Sequence, residues 1–305
     1  MRILLGADGS VFSRIAEELI LRLPEWRRAE VVAASVAPAM TMRYGAEGHD
    51  FAQRAVEAFE TGVAEAKDHA EEAAGRLRQR GVNASEAYLE GDAADLLLGF
   101  VERNAIDAIA VGSRGRGALE SAILGSTARK LAADAPCHVL IGRVQHKRSP
   151  QETLQKLKGS NKLSVLAGVD GSEGARVAID FVANQGPFAF DKLVAVCAEP
   201  LGAVPSGIDP SGFIDLYSYD HERAVEVVHH AVEKLKGSAP MIACDTGLGR
   251  PASILGKKAQ EHGTDLLIVG ATRHGTLERF LIGSVSCELA SEASCSVLVV
   301  RPAAA

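Results

Sequence analysis

A glycine-rich segment in the first half of the chain has the composition of a phosphate-binding loop. Gly112-Ser113-Arg114-Gly115 follows the apolar run 108–111, and Gly125-Ser126-Thr127 follows Gly115 after nine residues. Glycines at the carboxyl end of a parallel strand allow close backbone approach to a ligand. The start of a following helix offers free N–H groups at the positive end of its dipole. The segment therefore predicts a cradle for a phosphate group.

Two common nucleotide motifs are excluded by the spacing. The chain has no Gly-x-x-x-x-Gly-Lys-Ser/Thr string, and the dinucleotide fingerprint belongs after the first strand rather than the fourth. Glycines that serve only sharp turns would explain the loop alone. Three further features favour a ligand: the second motif at Gly125-Ser126, the carboxylate of Asp8 after the first apolar run, and repetition of both later in the chain.

The chain is a tandem repeat of one domain-sized unit. Ala7-Asp8-Gly9-Ser10 recurs as Val169-Asp170-Gly171-Ser172 at an offset of 162 residues. Gly112, Gly125-Ser126 and Cys137 recur as Gly270, Gly283-Ser284 and Cys295 at an offset of 158 residues. Such a period is too long for a solenoid or a propeller and indicates a duplication.

Short apolar runs alternate with amphipathic segments within each copy. In the first copy we expect strands at 3–7, 31–36, 84–89, 106–111 and 138–141, and helices at 13–23, 49–80, 93–103 and 121–133. This order predicts an α/β fold: two copies of an open, doubly wound, five-stranded parallel sheet of the Rossmann-like type. The predicted divisions are a first domain at 1–143, a linker at 144–161 and a second domain at 162–302.

Charge is distributed unevenly along the chain. The net charge is −6, but residues 143–162 carry +5, whereas residues 1–142 carry −5 and residues 163–305 carry −6. Acidic domains disfavour a nucleic-acid partner, because the phosphate backbone attracts basic surfaces. The basic connector is predicted to be a solvated linker with a short helix near 152–158.

Other classes of site and location receive little support. The apolar run at the N-terminus is too short for a leader or a membrane span, so we expect a soluble, cytoplasmic protein with no membrane partner. The five cysteines lack a Cys-x-x-Cys pair, and His221, His229 and His230 lack metal-ligand spacing. No catalytic residue and no metal site is predicted.

The sequence resembles the tandem universal stress proteins. Their ATP-binding members carry Gly-x-x-Gly, nine residues and Gly-Ser/Thr, which residues 112–126 match without a gap, and both copies have the Asp-Gly-Ser typical of the family. The resemblance implies a fold related to adenine-nucleotide hydrolases, with ATP, which could carry Mg²⁺, as the ligand. The implied binding residues are Ala7, Asp8, Val36, Val111, Gly112, Arg114, Gly115, Gly125, Ser126 and Thr127.

The second copy departs from this pattern. Its corresponding positions are Asp170, Ala198, Gly270, Arg273, Gly283 and Ser284. Arg273 occupies the place of Gly115, and if that place needs a positive φ, a side chain costs about 1 kcal/mol there. The arginine side chain would also fill phosphate space. We therefore expect a weak, altered or empty second site.

The last strand of each copy is apolar and would form an exposed edge. Family members commonly dimerise through this strand, so the resemblance implies that the copies pair internally as a pseudo-dimer through Val139, Ile141, Val297 and Val299. Helices that cover the edges are the alternative, and a further homodimer stays open.

The resemblance implies an ATP-binding stress-response regulator or sensor, with nucleotide mainly in the first domain. One alternative is a scaffold of the same family that binds partners without nucleotide. Another is an adenine-nucleotide hydrolase, which ranks lower because Asp8-Gly9-Ser10 differs from the Ser-Gly-Gly-x-Asp-Ser loop of that type. At most slow ATP hydrolysis is expected.

Overall fold

The computed structural model describes residues 1–39, 49–115, 124–160, 162–199, 210–271 and 284–302, excluding the side chains of 49–52, 210–220 and 284. Ten strands are described: β1 Arg2–Gly6, β2 Glu30–Ala37, β3 Asn83–Glu90, β4 Ala108–Gly112, β5 His138–Gly142, β6 Ser164–Gly168, β7 Lys192–Glu199, β8 Met241–Leu248, β9 Leu266–Gly270 and β10 Ser296–Val300. The described helices are α1 Val11–Arg22, α2 Pro24–Arg27, α3 His49–Gln79, α4 Ala93–Arg103, α5 Ser126–Asp134, α6 Pro150–Gly159, α7 Glu173–Asn184, α8 Pro210–Leu235, α9 Pro251–Glu261 and α10 Ser284–Glu292.

The strands form one ten-stranded sheet in the order β3-β2-β1-β4-β5-β10-β9-β6-β7-β8. Neighbouring strands are parallel except β5 and β10, which are antiparallel, with Leu140 opposite Leu298. The α/β fold class of two tandem parallel units is thus confirmed. The predicted pairing of the last strands is confirmed too, since Ile141 lies opposite Val297 and Val139 opposite Val299.

Local sequence explains where the elements begin. The central strands are continuous apolar runs buried on both faces, as in Ile3, Leu4 and Leu5 of β1. Helix α1 begins where the Ser10 hydroxyl accepts a hydrogen bond from the Ser13 N–H, and it ends at Arg22, with Leu23 as the C-cap residue before Pro24 and helix α2.

Aromatic side chains join the two halves beneath one face of the sheet. The rings of Trp26 and His138, from the first half, lie 6.0 and 5.7 Å from the ring of Phe181 on α7, both edge to face. The main apolar core continues across this boundary and contains residues of both halves. The two copies therefore share a core and not only a strand pairing.

The connector is not the solvated linker that its charge predicts. The expected short helix exists as α6, but its side chains Thr153, Leu154 and Leu157 are buried. Arg22 at the end of α1 donates from Nε and Nη2 to the Leu157 carbonyl, at 3.0 and 2.7 Å. Lys156 of α6 pairs with Asp265 in the second half. The net charge of the connector did not predict its burial, because the charged residues lie on one face of α6 and the other face is apolar.

All five cysteines are free thiols. Burial raises the pKa of the Cys137 and Cys295 thiols to about 12, as expected of core cysteines. Within the described ranges, no helix is long and apolar enough to cross a bilayer.

The shared core predicts one cooperative unfolding transition for both halves. Leu298 is fully buried at the junction, so Leu298→Ala should lower the free energy of unfolding by about 2–5 kcal/mol. Leu248→Ala, at a site that is 42% exposed, should change it by less than about 0.5 kcal/mol. Urea titrations followed by the fluorescence of the single tryptophan, Trp26, and by circular dichroism test this. Two separated transitions would contradict the shared core.

Acid should weaken the junction through His138. Burial lowers the pKa of His138 to about 4, opposed by the nearby Asp107 carboxylate, and its Nδ1 accepts the Arg301 backbone N–H at 3.0 Å. The unfolded chain binds a proton near pH 6.5 that the folded chain does not, so stability is lost as pH falls from about 6.5 to about 4. Between about pH 6.5 and pH 4, the free energy of unfolding of His138→Gln should fall by up to about 3 kcal/mol less than that of wild type, as measured by urea titrations. Parallel pH profiles for the two proteins would contradict it.

Candidate functional site

A cavity of about 460 Å³ opens at the carboxyl ends of β1, β2 and β4. The edge between β1 and β4 is where the strand order reverses, the usual place for ligands in doubly wound sheets. The cavity is lined by Gly6, Ala7, Asp8, Ala34, Ser35, Val36, Ala93, Leu97, Val111, Gly112, Ser113, Arg114, Gly115, Leu124, Gly125, Ser126, Thr127 and Ala128. All ten first-copy positions named from the sequence are among them.

The turn after β1 fixes the Asp8 carboxylate. Its Oδ1 accepts the Ser10 N–H at 3.0 Å, and Gly9 between them has a φ of +74° that favours glycine. A Cβ at Gly9 would also lie 2.4 Å from His69 Nε2 on α3. The other oxygen, Oδ2, lies 3.0 Å from where a Cβ at Gly115 would be, so it faces the glycine-rich loop.

The glycines of the loop serve packing more than backbone conformation. A Cβ at Gly112 would lie 2.7 Å from the Ser13 backbone nitrogen, because α1 crosses β4 closely. Gly112 and Gly115 do not have a positive φ. The backbone strain considered for arginine at the place of Gly115 is therefore absent in the first copy, and only the loss of space remains as an argument.

Helix α5 presents an uncapped N-terminus to the cavity. Gly125 is its N-cap residue, has no side chain to accept hydrogen bonds, and donates its own N–H to the Ser113 carbonyl at 2.8 Å. Helices α1, α4, α6 and α7 instead begin with a serine or aspartate cap. The first-turn N–H groups of α5 are thus left for a ligand, and the helix dipole favours an anionic one.

Arg114 is held by an aromatic ring beside this end of the cavity. The guanidinium carbon lies 4.9 Å from the centroid of the Phe12 ring, a cation–π geometry. The Ser10 hydroxyl donates to the Arg114 carbonyl at 3.4 Å, tying the loop to the start of α1. Arg114 is the one cationic side chain, and Asp8 the one carboxylate, among the described lining residues.

The apolar wall opposite the loop was not predicted from the sequence. Ala34 lies two residues before Val36 on β2, so the two share a strand face, and Ala93 and Leu97 share one face of α4. Strand and helix periodicity could have added these residues. Nothing in the local sequence, however, brings α4 beside β2.

The second copy retains part of this geometry. Asp170 Oδ1 accepts the Ser172 N–H at 2.9 Å, as Asp8 does with Ser10, and Ala198 lies near the end of β7. A Cβ at Gly270 would lie 1.9 Å from the Gly174 carbonyl oxygen, an even closer helix approach than at Gly112. Arg273 and Gly283 lie outside the described residues, as does the side chain of Ser284. The weak second site stays a prediction.

The charges on the helices that follow β3 and β4 are reversed in the equivalent helices of the second copy. In the first, Asp92 caps α4, and Asp95 on the same helix pairs with Lys130 of α5 at 2.5 Å. In the second, Arg250 begins α9 without a side-chain cap and pairs with Glu288 of α10 at 2.8 Å. The equivalent helix pairs of the two copies therefore carry charges of opposite sign at these positions.

The histidines of α8 do not form a cluster. His221 contacts the buried Glu199 carboxylate through Nδ1 at 3.0 Å, while His229 and His230 are exposed. Across the described part of the chain, no group of three or more His, Cys, Asp and Glu side chains is arranged to hold a metal ion.

Comparison with known proteins gives one consistent family. The model of the universal stress protein family matches residues 1–143 and 163–301. A Staphylococcus epidermidis protein that carries the universal stress protein name is 32% identical over 149 residues, which cover 45% of this chain and 83% of the relative.

Solved structures show the same fold over the whole chain. A universal stress protein from Archaeoglobus fulgidus matches with a TM-score of 0.55 and 17% identity, covering 98% of both chains. A Pseudomonas aeruginosa protein described as functionally unknown matches with a TM-score of 0.59 and 16% identity, covering 99% of this chain and 92% of its own. At these identities the likeness concerns the fold alone.

Gly112 should be required for folding, apart from any ligand. Gly112→Ala should lower the free energy of unfolding by about 1–3 kcal/mol, because the added methyl group would meet the backbone of α1. Gly75→Ala is the matched control, since nothing lies within 4 Å of that Cβ position on α3, and a gain of up to about 1 kcal/mol is expected. Urea titrations without nucleotide measure both. Equal stability of Gly112→Ala and wild type would contradict the packing role.

Proposed function

The chain belongs to the universal stress protein family, and from that premise we propose that its first half binds ATP. The observation that carries the proposal is the uncapped N-terminus of α5 at the cavity, beside the Gly112–Gly115 loop. The ATP-binding members of the family carry this same glycine spacing. We propose further that nucleotide occupancy makes the protein a regulator or sensor in the stress response, in the predicted cytoplasmic location.

The lining residues suit the three parts of the nucleotide. The N–H groups of Ser126 and Thr127 would hold phosphate oxygens, and the hydroxyls of the same two residues add donors there. The Asp8 carboxylate would accept a ribose hydroxyl through the oxygen that faces the loop. Val36 and Leu97 belong to the apolar wall that would contact the base. Mg²⁺, where present, would neutralise phosphate charge and coordinate the phosphates.

The same residues favour binding over turnover. A fast phosphoryl transfer needs a positioned base or water-orienting group and several cations on the transferred group. Asp8 is already engaged by the Ser10 N–H, and Arg114 is engaged with the Phe12 ring. We therefore propose that hydrolysis, if measured, is slow.

We propose that the second half binds nucleotide weakly or not at all. Arg273 in place of Gly115 adds a long side chain where phosphates would lie, and the Arg250–Glu288 pair reverses the charges of the first copy. The replacement of Gly115 by Arg273 is the difference that supports unequal sites, and the reversed charges on the equivalent helices agree with it.

Counting nucleotides per chain tests the proposal. The purified protein is denatured and the released nucleotide is quantified by chromatography, and the nucleotide-free protein is then reloaded with ATP. One ATP per chain is expected. Two would show that the second site works, and none after reloading would contradict ATP binding and leave the partner-binding scaffold.

Gly115→Arg should abolish loading of the first site. The new side chain would begin about 3.0 Å from Asp8 Oδ2 and extend into the cavity, as proposed for Arg273. Gly256→Arg on α9 adds the same charge where nothing lies within 4 Å of the Cβ position, so loading should be unchanged. Full ATP loading of Gly115→Arg would show that an arginine there is harmless.

A further inference from the structure

Two arginines at equivalent positions of the repeat each bind a helix in the opposite half of the chain. Arg143 follows β5 and Arg301 follows β10, 158 residues apart. The Arg143 guanidinium donates to the carbonyls of Ala290, Ser291 and Ala293, at 2.5, 2.7 and 3.1 Å. Arg301 donates from Nη2 to the Ala132 carbonyl at 2.7 Å. Both residues are buried.

The accepting carbonyls belong to the C-terminal ends of α10 and α5. The last four carbonyls of a helix lack partners within it and form the negative end of its dipole, which a cation stabilises. Neither helix has a basic residue in its own last turn. Each therefore receives its cation from the other half of the molecule.

Helix α5 is also the element that would hold the phosphates. The seven residues from Ser126, in the uncapped first turn at the cavity, to Ala132, whose carbonyl Arg301 binds, span about 9 Å. A rigid rod of this length transmits any displacement of one end to the other. The position of the phosphate end thus depends on how the far end is held.

We propose that Arg301, from the second half, is a positioning residue for the phosphate-binding end of the first site. The inference rests on the proposed ATP binding. It gives the second half a role in the first site whether or not the second half binds nucleotide itself.

Burial makes the hydrogen bond between Arg301 and the Ala132 carbonyl sensitive to displacement. The pKa of Arg301 is lowered to about 10 by burial, yet the guanidinium stays charged at neutral pH. Displacing the Ala132 carbonyl from a buried cation costs free energy, because the charge then loses one of the groups that solvate it. The Ala132 carbonyl, and with it α5, is therefore restrained.

Comparing ATP with adenosine isolates the phosphate contribution. Titration calorimetry with each ligand is carried out on wild type and on Arg301→Met, which keeps the length of the side chain but not its charge. We expect the Kd for ATP to rise about tenfold, within the range of helix-terminus charge effects, and the Kd for adenosine to change less than about twofold. A merely structural role would weaken both ligands alike.

Arg143→Met is the matched control. It removes an equally buried cation from the same junction, but the helix it releases is α10 rather than α5. The ATP affinity of the first site should stay within about twofold of wild type. Equal weakening by Arg143→Met and Arg301→Met would overturn the inference in favour of a general loss at the junction.

A conservative variant, Arg301→Lys, keeps the inference testable if Arg301→Met does not fold. Arg301→Lys keeps the charge with a different donor geometry, so a smaller loss of ATP affinity is expected, again with adenosine unaffected. If Arg301→Met folds and binds ATP as wild type does, the inference is overturned but the proposed function stands. If Arg301→Met does not fold, unchanged ATP binding by Arg301→Lys overturns the inference in the same way. Wild type that binds neither ligand would overturn the proposed function and this inference together.

Discussion

The structure depends on the antiparallel register between β5 and β10. Each half on its own is a parallel sheet that ends in a largely apolar strand, and an exposed edge of that kind invites aggregation. Placing Leu140 opposite Leu298 removes both edges at once and merges two sheets into one. The edges that remain are β3 and β8, whose side chains are mostly half-buried or exposed. The copies are therefore parts of a single sheet.

This register places the residues after each last strand against the other half. Arg143 and Arg301 reach the ends of helices whose own last turns contain no basic residue. Arg22 makes a similar contact with the end of α6, so the connector is held against the first half as well. Three buried or nearly buried arginines thus bind helix carbonyls at the boundaries between parts of the chain, where an apolar side chain would leave those carbonyls without partners.

Much of this architecture was predictable because the determinants are local or repeated. The duplicated Asp-Gly-Ser and glycine motifs follow strands, and the carboxyl ends of parallel strands meet at one edge, so the sequence placed ten residues that line one cavity. The burial of α6 was not predictable from charge, and the crossing of Arg301 to Ala132 depends on a register that no local pattern contains. The sequence correctly placed Gly112 at the cavity, but the ligand is not the only reason for a glycine there. The close packing of α1 against β4 leaves no space for a Cβ at this position.

The charge distribution explains why such contacts would matter to a nucleotide. The first half is acidic, and its described cavity lining contains one carboxylate and one arginine, yet the proposed ligand carries several negative charges. Among the described residues, attraction would then come mainly from backbone N–H groups and the dipole of α5, whose effect falls off within one helical turn. Affinity in such a site is set by where a helix lies. If the proposed site binds nucleotide, the register of β5 and β10 would thereby contribute to its affinity, although these strands do not contact the ligand.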